Sequence, residues 1–277
     1  MARLHPIALV AGGQVSRSFL VRLPRLRERI GPVKAVSTRV ASRIVNVIHA
    51  GYPVNDFKSV ADTRTIAIHV PADRLAFTLE QLRSTGVGWR GKTVLLCDAA
   101  LSSAALKPLA ALGAATASLA PIEGFDEKRF VVEGDPHAVR VARMLVENST
   151  TRAIEIAAET KELFLAGLVF ATSLFTPMAA AATECLKGAG LDAGVAASVS
   201  ERLFERSLRG YVKAGRKSWG GPLAVKDQEQ VRRQLEALFR ASPLLASYYT
   251  ESALFALRLF RQETGWLPLG RTAAANA

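Results

Sequence analysis

The first residues suited to holding an anion are Ala11-Gly12-Gly13-Gln14-Val15-Ser16, set between the apolar run Ile7-Ala8-Leu9-Val10 and the apolar helix start Phe19-Leu20-Val21. Strand, glycine loop and helix in that order are the layout of a dinucleotide-binding βαβ unit. There, glycines let backbone N–H groups approach a pyrophosphate at a helix N-terminus. In the G-x-G-x-x-G register the glycine slots hold Ala11, Gly13 and Ser16. Gly12, Gly13, Gln14, Val15 and Ser16 are therefore the candidate phosphate contacts, with permissive backbone at the two glycines and a hydroxyl in the third slot. Ala11 stands where a tight turn favours glycine, so the same residues point to a nucleotide-binding fold and question whether the nucleotide is kept.

A second candidate lies at Ser37-Thr38-Arg39, after the apolar run that begins at Val33. An NAD site places a carboxylate near this point for the ribose hydroxyls, and none is present. Thr38 with Arg39 suits a 2'-phosphate instead, which favours NADP, and Arg43 lies one helical turn further on. Arg39 reads equally well as one more surface arginine of a basic stretch. Residues 17–43 hold Arg17, Arg22, Arg25, Arg27, Arg29, Lys34, Arg39 and Arg43 against Glu28 alone, within a net charge of +12. A solvated basic face, a phosphate-bearing ligand and nucleic acid all fit that charge. Nucleic acid fits least, because no aromatic residues interleave the basic ones.

The elements that must position these residues alternate in the first half of the chain. Strand signals at Ile7–Val10, Val33–Ser37, Thr65–Val70, Lys92–Cys97, Ala115–Leu119, Phe130–Glu133 and Arg152–Ile156 are interleaved with helical periodicity. The helical stretches are Val15–Leu23, Ala41–His49, Ala72–Ser84, Ser103–Leu112 and Pro136–Glu147. This alternation predicts a parallel sheet with helices on both faces. Beyond about residue 158 only helices are predicted, at Thr160–Lys187, Ala193–Ala214, Asp227–Ala241 and Leu244–Gln262. The chain is thus expected to be α/β: a Rossmann-like domain over 1–158, an all-helical domain over 159–270 and a disordered tail over 271–277. Leu163 to Thr183 contains no charged residue. Its length would span a bilayer, but its flanks lack an aromatic belt and Pro177 interrupts it, so it is expected to be a buried central helix.

Two cysteines far apart, Cys97 and Cys185, form no disulfide ladder and fit a reducing cytoplasm. The four histidines form no ligand pattern, and no metal is expected.

Several segments together resemble one family of Rossmann-like proteins whose C-terminal half is a helical domain of unknown function (domain of unknown function 2520). Its members are distant relatives of pyrroline-5-carboxylate reductase and 6-phosphogluconate dehydrogenase. The most specific segment is Gly221-Pro222-Leu223-Ala224-Val225-Lys226-Asp227, which is similar to a family stretch that runs through threonine-glycine-proline into arginine-glycine-aspartate. Leu95 to Ser102, Ser118 to Ile122 and Lys161 to Ser173 match further segments. Across them, four histidine positions of the family hold Leu96, Ala120, Leu165 and Gln234. The usual proton-transfer side chain is therefore missing at all four.

The resemblance implies an NADP cofactor lying across the strand ends, with Val70-Pro71 lining its nicotinamide-ribose side. It also implies a homodimer that buries the long helix between subunits. Few polar groups remain for catalysis: Lys161 at the start of the long helix, Ser173 about three turns on, and Asp227, which reads also as a helix cap. Two functions stay open. One is an NADP-dependent oxidoreductase of the imine- or carbonyl-reductase type acting on a small-molecule ligand. The other is a non-catalytic dimeric ligand-binding or scaffold protein descended from one. Neither a membrane nor nucleic acid is an expected partner.

Overall fold

The computed structural model describes residues 6–12, 24–122, 128–148 and 150–268. The chain divides into two compact units, 1–167 and 168–277. The expected boundary stood at 158, and the tail 271–277 lies outside the described residues.

The first unit is built on eight strands: β1 (Ile7–Ala11), β2 (Ile30–Lys34), β3 (Tyr52–Pro53), β4 (Thr65–His69), β5 (Thr93–Leu96), β6 (Ala115–Ile122), β7 (Lys128–Gly134) and β8 (Thr151–Glu155). Their order across the sheet is β3-β2-β1-β4-β5-β6-β7-β8. Every residue of β1 is buried, because each face of the strand meets its own core. Ile7, Leu9 and Ala11 point into one cluster, while Ala8 and Val10 point into the other. A parallel strand covered on both faces reads as a continuous apolar run, which is why Ile-Ala-Leu-Val-Ala shows no alternation.

Helix α2 (Thr38–Ile48) brings Ala41, Ile44 and Ile48 to the first cluster, and α6 (Pro136–Val146) brings Ala138, Val139, Ala142, Leu145 and Val146. The opposite face is covered by α4 (Ala72–Arg83) through Leu75, Leu79 and Leu82, and by Leu106 and Leu109. Two caps fix where α2 and α6 begin. Ser37 accepts the Val40 N–H at 3.3 Å, and Asp135 accepts the His137 N–H at 2.8 Å with Pro136 in the first turn. The described residues of this unit also form the short helices α1 (Pro24–Arg27), α3 (Lys58–Ala61) and α5 (Lys107–Ala110).

The sheet departs from the expected all-parallel form at β7, which runs antiparallel to β6. Only residues 123–127 separate the two strands, too few for the crossover helix that a parallel pair requires. Gly134 makes the exit from β7 (φ +133). A Cβ there would fall 2.3 Å from the Thr116 carbonyl oxygen, so glycine is the residue that fits. The predicted helix over Ser103–Leu112 is a 3-10 turn at Ser103–Leu106 that runs into α5. The predicted helix Val15–Leu23 lies outside the described residues.

Helix α7 (Lys161–Ala171) leads out of the first unit, and the second contains α8 (Phe175–Gly188), α9 (Ala193–Ala214), α10 (Gln228–Ala241) and α11 (Pro243–Leu259). The single helix expected over Thr160–Lys187 is broken at residues 172–174. Pro177 has no N–H for the Ser173 carbonyl and its ring crowds that oxygen. The Thr172 hydroxyl turns back onto the Leu168 carbonyl at 2.7 Å, and the Leu174 N–H reaches the Val169 carbonyl at 3.0 Å.

Val231, Leu235, Ala253, Leu257 and Leu267 form the core between α10 and α11. Helices α8 and α9 meet through Thr183 and Ser200, whose hydroxyls are 3.0 Å apart, and through Phe204 set edge-on to Phe175. The expectation that Leu163–Thr183 is buried is overturned within one chain: Leu163 is 75% exposed and Phe170 57%. Among the described residues, one segment, Ala158–Gly188, is long and apolar enough to cross a membrane by length and composition.

Candidate active site

The order β3-β2-β1-β4-β5 reverses direction between β1 and β4, and in open α/β sheets ligands bind outside the strand C-termini at such a switch point. There β1 ends at Ala11, level with His69 of β4, and the Gly12 N–H continues the ladder to the His69 carbonyl at 2.9 Å. A Cβ on Gly12 would lie 2.3 Å from Cδ of Pro71 and 3.3 Å from the Val70 Cα. The structure thus brings the predicted Gly12, Val70 and Pro71 together, and their close approach requires the glycine. Gly13, Gln14, Val15 and Ser16 lie outside the described residues.

His69 supplies the polar group at this point that the sequence reading did not single out. Its Nδ1 sits 2.6 Å from the Cys97 carbonyl, which only accepts, so Nδ1 carries the hydrogen. The signal was a polar residue ending Thr-Ile-Ala-Ile-His.

Thr38 and Arg39 open α2 at the end of β2, both exposed, with no acidic residue in the helix's first turn. The Thr38 hydroxyl donates to Asn55 Oδ1. Nearby Asp56 is committed to capping: Ser59 donates to it from its N–H at 2.7 Å and from its hydroxyl at 3.0 Å, which holds the carboxyl below its usual range. With the Thr38 hydrogen given to Asn55, the donors this corner offers a phosphate on the 2'-oxygen are the Arg39 guanidinium and the helix N-terminus.

Further along the sheet, Glu133 centres a buried polar cluster that sequence reasoning did not find. Glu133 on β7 is wholly buried. It accepts from the Ser103 N–H at 2.7 Å, from the Ser103 hydroxyl at 2.5 Å, and from the Ser118 hydroxyl directly opposite on β6. Ser102, just before the 3-10 turn that follows β5, makes no side-chain cap bond. Asp98 closes its own loop by accepting from Ala100 and Leu101 N–H groups at 2.7 and 3.0 Å.

Lys161 is fully buried, and its Nζ has no hydrogen-bond partner. The amine lies 5.7 Å from the Phe164 ring centroid. Burial pushes its pKa down, and the charges of Glu133, Asp98 and Glu162 pull it part of the way back.

The other two catalytic candidates belong to the helical unit. Ser173 is exposed in the turn between α7 and α8. Asp227 caps α10 by accepting the Gln230 N–H at 3.0 Å. Of the family's four histidine positions, Leu96 and Ala120 are buried apolar sites here, and Gln234 accepts from the Tyr249 hydroxyl at 2.8 Å. No cluster of histidine, cysteine and carboxylate suited to a metal occurs among the described residues.

Residues 129–254 match the family model described as a domain of unknown function, DUF2520. The match takes in β7, with Glu133, and Lys161, and it runs on through α10 into α11.

Solved structures share the fold over nearly the whole chain. A Thermotoga maritima protein aligns with TM-score 0.66 and 17% identity over 92% of this chain and 100% of its own. The imine reductase of Myxococcus stipitatus in complex with NADP+ aligns with TM-score 0.63 and 13% identity, over 92% and 95%. A reductive aminase from Aspergillus terreus in complex with NADPH and ethyl-5-oxohexanoate gives 0.59 and 14%, over 92% and 94%. No curated protein matches the chain in sequence. The fold is thus a Rossmann-like sheet domain followed by a helical domain, as in these reductases.

Proposed function

We propose that this chain binds NADP(H) along the C-terminal edge of its sheet and acts as an oxidoreductase on a small imine or carbonyl compound. The observation that carries the reading is the corner at β2, where Thr38 and Arg39 stand exposed with no carboxylate in the first turn of the following helix. The same strand edge offers Gly12 and Val70-Pro71 at the switch point. Thr38 and Arg39 would hold the 2'-phosphate, and Gly12 with Gly13, Gln14, Val15 and Ser16 the pyrophosphate. When bound, the cofactor supplies a hydride to the carbon of the double bond.

The chain's own part is to deliver the proton. Among the described residues of the sheet unit, Lys161 Nζ is a buried amine with no hydrogen-bond partner, and burial lowers its pKa. It is assigned to protonate the nitrogen or oxygen left by reduction. Ser173 and Asp227 remain candidates from the helical unit, with Asp227 Oδ1 already committed to the start of α10. A second reading, a non-catalytic ligand-binding or scaffold protein of the same fold, is favoured by the apolar residues at the family's histidine positions, such as Leu96.

The two separate by NADPH oxidation in the presence of small cyclic imines and ketones, with Lys161→Met as the control. Turnover that Lys161→Met lowers supports the reductase. NADPH binding without turnover supports the second reading.

We further propose a homodimer. Leu163, Phe170, Phe175 and Met178 of α7 and α8 leave apolar surface open to water, and a second copy would cover it. Two free thiols fit the cytoplasm.

A further inference from the structure

The 3-10 turn after β5 is tied down by a residue far from it in sequence. The first N–H groups of a helical turn lack partners inside the turn, and the residue just before it normally supplies one. Ser102 stands in that place and makes no side-chain cap bond. Glu133, 30 residues beyond Ser103 and on β7, does so instead. It accepts the Ser103 N–H at 2.7 Å and the Ser103 hydroxyl at 2.5 Å. Ser118 on β6 donates to the same carboxyl group and fixes it from the sheet side. Burying a carboxyl group wholly is costly, and a cap from Ser102 would satisfy the turn without that cost. What Glu133 adds is a tie between the turn and the sheet.

The segment ahead of Ser103 is held at its other end as well. His69 Nδ1 donates to the Cys97 carbonyl at 2.6 Å, and the Cys97 N–H donates to the Ile68 carbonyl at 2.7 Å. Between these ties lie residues 98–102, which Asp98 turns by accepting the Ala100 and Leu101 N–H groups. Ala99 and Ala100 are exposed, and their methyl side chains leave the backbone open to a ligand. The segment follows the C-terminal end of β5, beside β4 and Val70-Pro71, on the edge where open α/β sheets bind ligands.

We infer that Glu133 is a positioning residue: through Ser103 it holds the loop 98–102 in one conformation, preformed for the nicotinamide end of the cofactor. A loop already ordered costs no ordering entropy on binding. The contact with cofactor rests on the reductase reading; the tie to Ser103 does not.

The tie is tested without nucleotide. The full chain is labelled with 15N, and backbone order parameters are measured by NMR. In the native chain Ala99, Ala100 and Leu101 stand at about 0.85, the value of rigid backbone. In Glu133→Ala they fall below about 0.6, while β1 and β4 keep their native values. Glu133→Gln restores the loop, because its amide oxygen still accepts the Ser103 N–H. Unchanged loop values in Glu133→Ala, no recovery in Glu133→Gln, or a fall shared by β1 and β4 overturns the assignment. Where Glu133→Ala does not fold, Ser103→Ala, which loses the hydroxyl bond alone, is measured in the same way, and an unchanged loop there overturns it.

Calorimetry with NADPH reads the use made of the loop. Glu133→Ala should bind about 10-fold or more weaker than the native chain, the cost of ordering about one backbone residue on binding. Equal affinity with a loosened loop overturns the positioning role. A loop that loosens as described in a chain whose native form binds no NADPH keeps the tie and loses the cofactor reading.

Discussion

Gly12→Ala tests whether the first loop glycine answers to the packing of the strand ends. A Cβ at that position lies 2.3 Å from Pro71 Cδ, where carbon atoms in contact normally sit at about 3.5–4.0 Å. The shortfall exceeds an ångström, and neither side yields easily. Gly12 is tied to His69 by a ladder bond of 2.9 Å, and Pro71 leads directly into α4. Overpacking of this kind costs about 1–3 kcal/mol, and the rigidity of both partners places the cost near the top of that range. For a unit of this size each kcal/mol lowers Tm by about 2–4 °C, so scanning calorimetry should show a fall of about 5–10 °C.

The decisive variant is the double Gly12→Ala/Pro71→Ala, which removes the ring that the new methyl strikes. A coupling of about 1 kcal/mol or more, with the double variant recovering most of the loss, confirms the contact. Additive losses, or a Gly12→Ala chain within about 1 °C of the native Tm, would refute the packing account.

Four further outcomes follow from the same structure. Arg39→Ala should weaken NADPH binding by roughly 10- to 100-fold, as expected for the loss of a charge-assisted bond, and leave NADH binding unchanged in calorimetry. A thiol reagent at pH 8 should modify the exposed Cys185 and spare Cys97, which is buried with its thiol pushed up to about 12; mass spectrometry after digestion reads this. That raised pKa also sets a pH dependence. The folded state keeps a proton that the unfolded chain loses above pH 9, so the stabilisation from Cys97 is complete below pH 9 and is lost as pH rises toward 12. The loss runs at up to about 1.4 kcal/mol per pH unit, and denaturation of Cys97→Ala across that window should lack this slope. Finally, Phe170→Glu should convert a dimer to a monomer in light scattering. A native chain that is monomeric at micromolar concentration, or that floats with lipid vesicles, would contradict the dimer.

The strands of the sheet centre were legible because burial on both faces writes a continuous apolar run, as in Thr-Val-Leu-Leu of β5. The two residues of β3, one of them Pro53, carry no such run. The reversal at β7 was hidden because a strand's apolar pattern says nothing of its direction. Pro177 marked the break between α7 and α8, but the uniformly apolar composition around it masked the turn.

Lys161 was legible as a charge at the head of an apolar helix. The Glu133 cluster was not: Glu133 reads as the polar end of a β-branched run, and its donors Ser103 and Ser118 lie 30 and 15 residues away, brought to it only by the sheet order. The family resemblance directed attention to four missing histidines, while the buried polar groups that the chain does possess stand at other positions.

The central claim is that Thr38 and Arg39 mark an NADP site, and calorimetric titration of the purified chain with NADPH, with NADH alongside, tests it most directly. The account predicts binding in the micromolar range, about −8 kcal/mol, with NADPH preferred over NADH. No heat with either nucleotide from a well-folded sample, or an equal affinity for both, would contradict it.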